Sequence, residues 1–343
     1  MTRAVFAIPG DLSTPTGGYR YARRVMEESA AFDLTLDHLV LPGRFPNPSE
    51  AEIREAIARL SAVPANTPIL LDGLAGGTLP LQASAVTAPI VYLCHHPLAD
   101  ETGVDPVLAS TLQLGEQAVL ATCSRVITTS HSTAVTLASR YGVPHSKLSV
   151  APPGTEPAAR AIGSGDPWPT ILSIGSFSPR KGHHLLIEAL AGLADLEWQL
   201  RIVGAVVDHA YRDEVGKMVE AHGLSDRVAL LDPLETDALD LAYQSADIFA
   251  LASVYEGFGM VFAEAVAHGL PVLGHRIGAV AEATLGTAEL VPIGELEAPL
   301  RKVITSSAER QALADRSWAA AQNLTRWSDT ARIIARTVKE SCL

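Results

Sequence analysis

Two glutamates eight residues apart, Glu256 and Glu264, mark the most informative stretch of the chain. It reads Ser253-Val-Tyr-Glu-Gly-Phe-Gly-Met-Val-Phe-Ala-Glu-Ala-Val-Ala-His-Gly-Leu-Pro-Val. Gly257 and Gly259 let the backbone come close to a ligand, and a helix starting there offers free N–H groups suited to a phosphate or to sugar hydroxyls. At 1.5 Å per residue the two carboxylates lie at most about 12 Å apart along a helix, so they can bracket an elongated ligand but not share a proton. Phe262, Ala263, Val266 and Ala267 supply the buried face, and Glu264 among them is costly to bury unless it is hydrogen-bonded. Two plainer readings compete. Both glutamates could be solvated surface residues, or Gly257-x-Gly259-x-x-Phe262 could be a damaged dinucleotide fingerprint with Arg276 as a 2′-phosphate ligand. Bulky Phe262 in place of the third glycine argues against the second.

Arg180-Lys181 follows a strand and a short turn, where adjacent cations suit a diphosphate whose negative charge grows as its bond to a sugar breaks; an ordinary solvated basic pair is the alternative. Gly17-Gly18, preceded by Ser13-Thr14-Pro15-Thr16, opens a long helix whose free N–H groups could touch a phosphate. Along that helix Arg20, Arg23 and Arg24 share one face. A solvated face is the favoured reading, with an anionic acceptor or acidic lipid as the other. His95 and His96 end a strand, where a histidine can donate a hydrogen bond to a sugar or relay a proton, whereas His131 and His183-His184 read as structural. No Asp-x-Asp is present, which disfavours a divalent metal on the diphosphate. No His-Glu-x-x-His, Gly-x-Ser-x-Gly or Walker loop is present either.

These residues need elements to hold them. Strand-like runs at 5–8, 35–41, 69–72, 90–94, 126–129 and 148–150 alternate with helical stretches at 18–30, 49–60, 111–121 and 132–141. Further runs at 170–175, 198–203, 228–231, 248–251 and 271–274 alternate with helical stretches at 183–193, 211–222, 237–245 and 259–268. Such alternation predicts parallel strands joined by helical crossovers, hence doubly wound sheets. Residues 151–169 hold five prolines and three glycines in nineteen residues, too many for a helix or central strand, and read as an interdomain linker. In open α/β sheets ligands bind beyond the carboxyl ends of strands, so the loops after strands are the place to look.

Composition bounds the rest. With 343 residues the chain suits two domains. Only 5% of it is aromatic against 48% hydrophobic, so the cores must be built from Ala, Leu, Val and Ile. A net charge of −12 argues against a nucleic-acid partner, which would call for clustered Lys and Arg. Cys94, Cys123 and Cys342 are odd in number and widely spaced, which fits neither a disulfide framework nor a zinc knuckle. No apolar run reaches the roughly 18 residues of a transmembrane segment, and the first run is too short for a signal peptide. The expectation is a soluble, cytoplasmic, reduced protein.

Glu-Gly-Phe-Gly, the second Glu eight residues on, and Ala-x-Ala-x-Gly-x-Pro-Val resemble the Glu-x7-Glu signature of the family 4 retaining glycosyltransferases. Gly-Ser-Phe-Ser-Pro-Arg180-Lys181-Gly182 resembles the family's donor-phosphate loop. Gly223-Leu-Ser-Asp-Arg-Val, Ala246-Asp-Ile-Phe-Ala-Leu-Ala-Ser253, Gly17-Gly18 and His95-His96-Pro97 fit in order. One departure is that many members carry Arg directly after the loop's first glycine, where this chain has Ser176.

The resemblance implies an α/β GT-B fold, two doubly wound Rossmann-like domains facing each other across a cleft. Residues 1–160 would bind the acceptor, with a helix at about 327–343 packing back on them, and 161–326 would bind the donor. It implies a retaining, metal-independent hexosyltransferase using a nucleotide-diphosphate sugar, UDP- or GDP-linked, with no cofactor and no metal site. The acceptor would be a small molecule, a glycan or a lipid-linked group. Glu264 would hold the ribose, Arg180 and Lys181 the diphosphate. Glu256 with Gly257, Phe258, Gly259 and Met260 would hold the hexose, with His95 beside the transferred sugar and Gly17-Gly18 touching the diphosphate. A sugar-nucleotide epimerase of similar fold and a non-catalytic nucleotide-sugar binder stand as alternatives.

Overall fold

The structure, a computed structural model, describes residues 1–14 and 16–342. Pro15, in the turn expected before Gly17-Gly18, and Leu343, in the expected last helix, lie outside the described residues. The chain forms two compact units, one made of Met1–Gly154 with the chain from Thr325 onward, the other of Thr155–Leu324.

In the first unit β1 (Thr2–Pro9), α1 (Gly17–Ser29), β2 (Leu34–Leu41), α2 (Glu50–Ser61), β3 (Ile69–Asp72) and the single turn α3 (Gly73–Gly76) follow one another. They are succeeded by β4 (Ile90–Cys94), α4 (Pro106–Thr122), β5 (Arg125–Thr128), α5 (His131–Tyr141) and β6 (Leu148–Val150). The second unit runs β7 (Thr170–Ile174), α6 (His183–Ala191), β8 (Gln199–Val203), α7 (His209–Ala221), β9 (Val228–Leu231), α8 (Thr236–Gln244), β10 (Ile248–Leu251) and α9 (Met260–Ala267). It continues with β11 (Val272–His275), α10 (Val280–Ala283), β12 (Glu289–Val291), α11 (Glu297–Thr305) and α12 (Ser307–Ala321). The last helix, α13 (Trp327–Glu340), belongs to the first unit.

Each unit contains one six-stranded parallel sheet, ordered β2-β1-β3-β4-β5-β6 and β12-β11-β10-β7-β8-β9. Parallel sheets are covered on both faces, so their central strands should be continuously apolar. Strands β3, β4, β7, β10 and β11 are buried along their whole length, whereas the edge strands β6, β9 and β12 are only partly so. The cores are aliphatic as expected, with Trp198, Tyr21 and Tyr92 the largest fully buried side chains.

In both sheets the order reverses beside the first strand, between β1 and β3 and between β7 and β10, which opens a crevice at the strands' carboxyl ends. α13 has a strongly one-sided apolar face, Trp327, Ala331, Ile334, Ala335 and Val338, and packs along α1. Gly154 leaves no room for a side chain against Trp327. Residues 155–169 are tied to the second unit. Arg160 pairs with Asp315, Ala161 N donates to the His268 carbonyl (2.8 Å), and Ser164 and Thr170 both donate to Asp247. All three thiols are free. Among the described residues no helix is long and apolar enough to cross a membrane.

Candidate functional site

In the second unit the crevice between β7 and β10 is built by glycines. Gly204, just after β8, has room for no side chain against the Gly175 carbonyl, which brings those two loops together. Beyond Gly175 the chain turns through a single 3-10 turn, Pro179–Lys181, and Gly182 takes a left-handed conformation (φ +63°) against the Ala252 carbonyl. The turn is locked to the next strand's end by Val254 N, which donates to the Arg180 carbonyl at 2.9 Å. These contacts place Arg180 and Lys181 beside the loop after β10. The Lys181 stem lies across Gly175, where an added Cβ would stand 3.1 Å from Cγ and Cδ.

Lys181 Nζ donates to Glu256 Oε1 at 2.6 Å, and the Ser253 hydroxyl donates to the same oxygen at 2.7 Å. Arg180 Nη1 stands 3.7 Å from Glu256 Oε2 and donates to the Tyr255 carbonyl at 3.3 Å. Glu256 is 5% exposed. Burial pushes its carboxyl upward, but Lys181 and Arg180 with the hydrogen bonds from Lys181 and Ser253 outweigh that push, and its pKa lies below the ordinary value. A buried carboxylate with two cations and a hydroxyl donor stays ionised, which an isolated one would not.

After Glu256 the chain enters α9 through Gly259, the N-cap, held at φ +96°. No side chain caps the helix start, and Phe262 N already donates to the Gly259 carbonyl, so the N–H groups of Met260 and Val261 are the ones available to an anion or a hydroxyl. Phe262, which opposes the dinucleotide reading, is fully buried. It fits because β11 supplies Gly274, whose added Cβ would lie 2.8 Å from the Phe262 ring. Arg276 donates to the Leu290 carbonyl at the exposed edge. Glu264 meets the condition its setting imposes, since the Tyr243 hydroxyl donates to Oε2 at 2.9 Å. Tyr243 in turn stacks on His268 (4.7 Å between centroids), which bridges Asp240 and the Glu264 carbonyl.

The first unit assembles a different set. Gly17 and Gly18 begin α1 as expected, and an added Cβ on Gly18 would lie 3.7 Å from His95 Nε2. His95 Nε2 stands 3.1 Å from Asp72 Oδ2, its ring meets the Tyr21 ring edge-on at 5.3 Å, and its carbonyl accepts from Thr129. A carboxylate can only accept, so Nε2 carries the proton and Nδ1 is the other face of the ring. Asp72 is 5% exposed and also caps α3 by accepting from Leu74 N at 2.9 Å. His96 instead pairs with Glu101. Arg23 donates to the carbonyls of Leu12 and Thr14, and Arg24 pairs with Glu27 and Glu28 over the Trp327 ring, so these two arginines of α1 are structural. His183 is structural too: fully buried, its Nε2 tied to the carbonyls of Gly175 and Ser176, and burial lowers its pKa to about 4. Among the described residues no group of three or more His, Cys, Asp or Glu side chains is placed to hold a metal ion.

Two family models match the chain. That of the glycosyl transferases group 1 covers residues 156–315, and that of Glycosyltransferase Family 4 covers residues 27–159. The chain belongs to the family 4 glycosyltransferases. Among its relatives, the D-inositol 3-phosphate glycosyltransferase of Nocardia farcinica is 28% identical over 218 residues, 57% of this chain and 48% of that one. The enzyme of the same name from Corynebacterium glutamicum is 36% identical over 141 residues, 38% of this chain and 34% of that one. The matches thus span half or less of these curated relatives' length. Sucrose-phosphate synthase from Thermosynechococcus elongatus superposes with a TM-score of 0.82 at 20% identity, over 99% of each chain. Anabaena HepE, crystallised with UDP and glucose, gives 0.77 at 18% identity, over 99% of this chain and 100% of that one. At such identities the likeness speaks to fold, and the fold of this glycosyltransferase is GT-B.

The family motif thus led to Arg180, Lys181, Glu256 and Glu264, and the fold draws the first three into one cluster. Sequence reasoning overlooked Asp72, Ser253 and Tyr243, each a partner to a residue it had named. Asp72 carried a usable signal, an acidic residue closing an apolar strand beside the strand that ends in His95. Tyr243 carried none, because an aromatic residue in an amphipathic helix reads as core.

Proposed function

We propose that this glycosyltransferase moves a hexosyl group from a nucleoside-diphosphate sugar to an acceptor hydroxyl with retention of configuration, and that it does so without a metal ion. One observation carries the reading. A buried, ionised Glu256 and two cations meet at the crevice between β7 and β10, directly before an uncapped helix start.

On this reading Glu264, oriented by Tyr243, accepts hydrogen bonds from the ribose hydroxyls. Lys181 and Arg180 take the diphosphate as the anomeric C–O bond breaks and negative charge collects on the leaving oxygen. Ser176, in the position where many members have arginine, hydrogen-bonds only weakly with Ser178 (3.4 Å), so Arg180 supplies the second charge. Glu256 and the backbone of Gly257, Phe258, Gly259 and Met260 hold the hexose hydroxyls and favour an oxocarbenium-like transition state. The acceptor binds in the first unit, the one that holds Gly17, Gly18 and His95. The acceptor oxygen forms the new C–O bond as the anomeric bond to the diphosphate breaks, its proton passes to the departing diphosphate oxygen, and the nucleoside diphosphate leaves. Positive side chains already facing the diphosphate do the work that a divalent ion performs elsewhere.

The test is to incubate the protein with UDP-, GDP- and ADP-linked hexoses, to follow nucleoside diphosphate release, and to read the product's anomeric configuration by NMR. UDP-glucose is the first donor to try because HepE was crystallised with it. Inositol 3-phosphate is the first acceptor because relatives carry it in their name. Acceptor-dependent release, unaffected by a chelator and giving a retained anomer, is expected. An inverted product or strict metal dependence would overturn the mechanism.

A further inference from the structure

His275 closes β11 and is 1% exposed. The register of β11 with β10, Leu251 opposite Gly274, sets it beside the start of the loop that carries Glu256. Both of its nitrogens are engaged. Gly294 N donates to Nε2 at 3.3 Å, which makes Nε2 the acceptor and leaves the proton on Nδ1, 3.0 Å from the Ser253 carbonyl. The same Ser253 donates its hydroxyl to Glu256 Oε1. Three residues beyond His275, Gly278 adopts φ +45° and lies so close to the Glu256 carbonyl that no side chain would fit there. The segment after β11 therefore braces the Glu256 loop twice, at the Ser253 carbonyl and at the backbone of Glu256.

We propose that His275 is a positioning residue for Glu256, acting through Ser253: its Nδ1–H fixes the Ser253 backbone so that the serine hydroxyl meets the carboxylate at the edge of the sugar site. The inference rests on the reading of Glu256 as a sugar-binding group for its catalytic consequence, but not for its structural one. A buried carbonyl deprived of its donor does not stay in place without cost, and a small displacement of a positioning group is enough to lower turnover substantially. His275 is bonded to Ser253 and Gly294, whereas Glu264 is oriented by Tyr243, so the nucleotide end of the donor should not register its loss. Burial lowers the pKa of His275 and keeps the ring neutral, which preserves Nε2 as an acceptor.

The test compares His275→Leu with His275→Asn in the full-length protein, because the Asn side-chain amide can replace the Nδ1–H donor. Hydrogen–deuterium exchange read by mass spectrometry should show faster exchange at 253–258 in the Leu variant, with α9 unchanged, and near wild-type exchange in the Asn variant. The Leu variant should lower kcat about tenfold to a hundredfold and leave the affinity for free UDP, by calorimetry, within about twofold. Asn should restore most of the kcat. A folded Leu variant with unchanged exchange at 253–258 would overturn the proposal. Equal losses of kcat and UDP affinity that Asn does not repair would do the same, by showing a merely structural role. If the exchange pattern appears as expected but the wild-type protein transfers no sugar, the positioning role stands and the proposed function falls.

Discussion

Each unit buries one glutamate beside the carboxyl ends of its strands, and the two behave in opposite ways. Glu256 in the second unit has Lys181, Arg180 and Ser253 around it, and its pKa falls despite burial. Glu116 on α4 is fully buried, and burial raises its pKa to about 7. Hydrogen bonds from the Tyr92 hydroxyl (2.7 Å) and Leu98 N (3.2 Å) oppose the rise without cancelling it, and Asp100 adds to it. Burial is the same in kind. The difference lies in the partners: cations turn a buried carboxylate into a fixed charge, whereas neutral donors leave it titrating near neutral pH. The second unit therefore presents a built electrostatic site, and the first presents hydrogen-bonding groups such as the His95–Asp72 pair.

The contrast breaks most readily at Lys181. Lys181→Ala should lower turnover about 10²- to 10³-fold, the scale of losing one group that stabilises developing charge; steady-state kinetics with kcat within twofold of wild type would remove Lys181 from that role. Stability against pH sharpens the comparison. Glu116 has a folded-state pKa above its unfolded one, so its contribution is fully present below about pH 4.5 and is lost as pH rises through about 7. The loss approaches about 3 kcal/mol at 1.4 kcal/mol per pH unit. His183 and Glu256, both with lowered pKa values, contribute in the opposite sense, and His183 loses its share as pH falls from about 6.5 to about 4. Denaturant unfolding of Glu116→Gln should flatten the fall in stability between about pH 4.5 and 7 and leave the slopes below and above that window unchanged.

Smaller effects are expected at the positions that orient a ligand. Glu264→Ala should weaken free-nucleotide binding by about 1.5–3 kcal/mol, the range for a hydrogen bond to a charged group, and calorimetry showing unchanged affinity would refute the ribose assignment. Asp72→Asn should cost about tenfold in turnover, because an amide can donate to Nε2 and would favour the other His95 tautomer. The ¹⁵N shifts of His95 would report the exchange of the two nitrogens.

Most of the sheet was legible, because buried parallel strands leave uninterrupted aliphatic runs. The predicted strands at 69–72, 90–94, 148–150, 228–231 and 248–251 coincide with β3, β4, β6, β9 and β10. The last helix was expected at about 327–343 and α13 lies there, but no element was read between 276 and 326. There α12 carries few apolar residues and many alanines, although Ser306 with Glu309 is the start signal that its N-cap bond uses. α4 begins at Pro106, five residues before the expected start, because Asp105 caps it and proline suits the first helical position. In the site, the charged members stood out because they lie in the family's motifs. Their neutral partners did not, since Ser253, Tyr243 and His275 become meaningful only through register between β10, β11 and α8.

The central claim is that a nucleoside-diphosphate sugar lies at the carboxyl ends of β7 and β10. A crystal structure of the protein with UDP-glucose tests it most directly. The expected result is the diphosphate on Lys181 and Arg180, the ribose on Glu264 and the hexose beside Glu256. A donor bound elsewhere, with Glu256 still paired to both cations and that crevice empty, would contradict it.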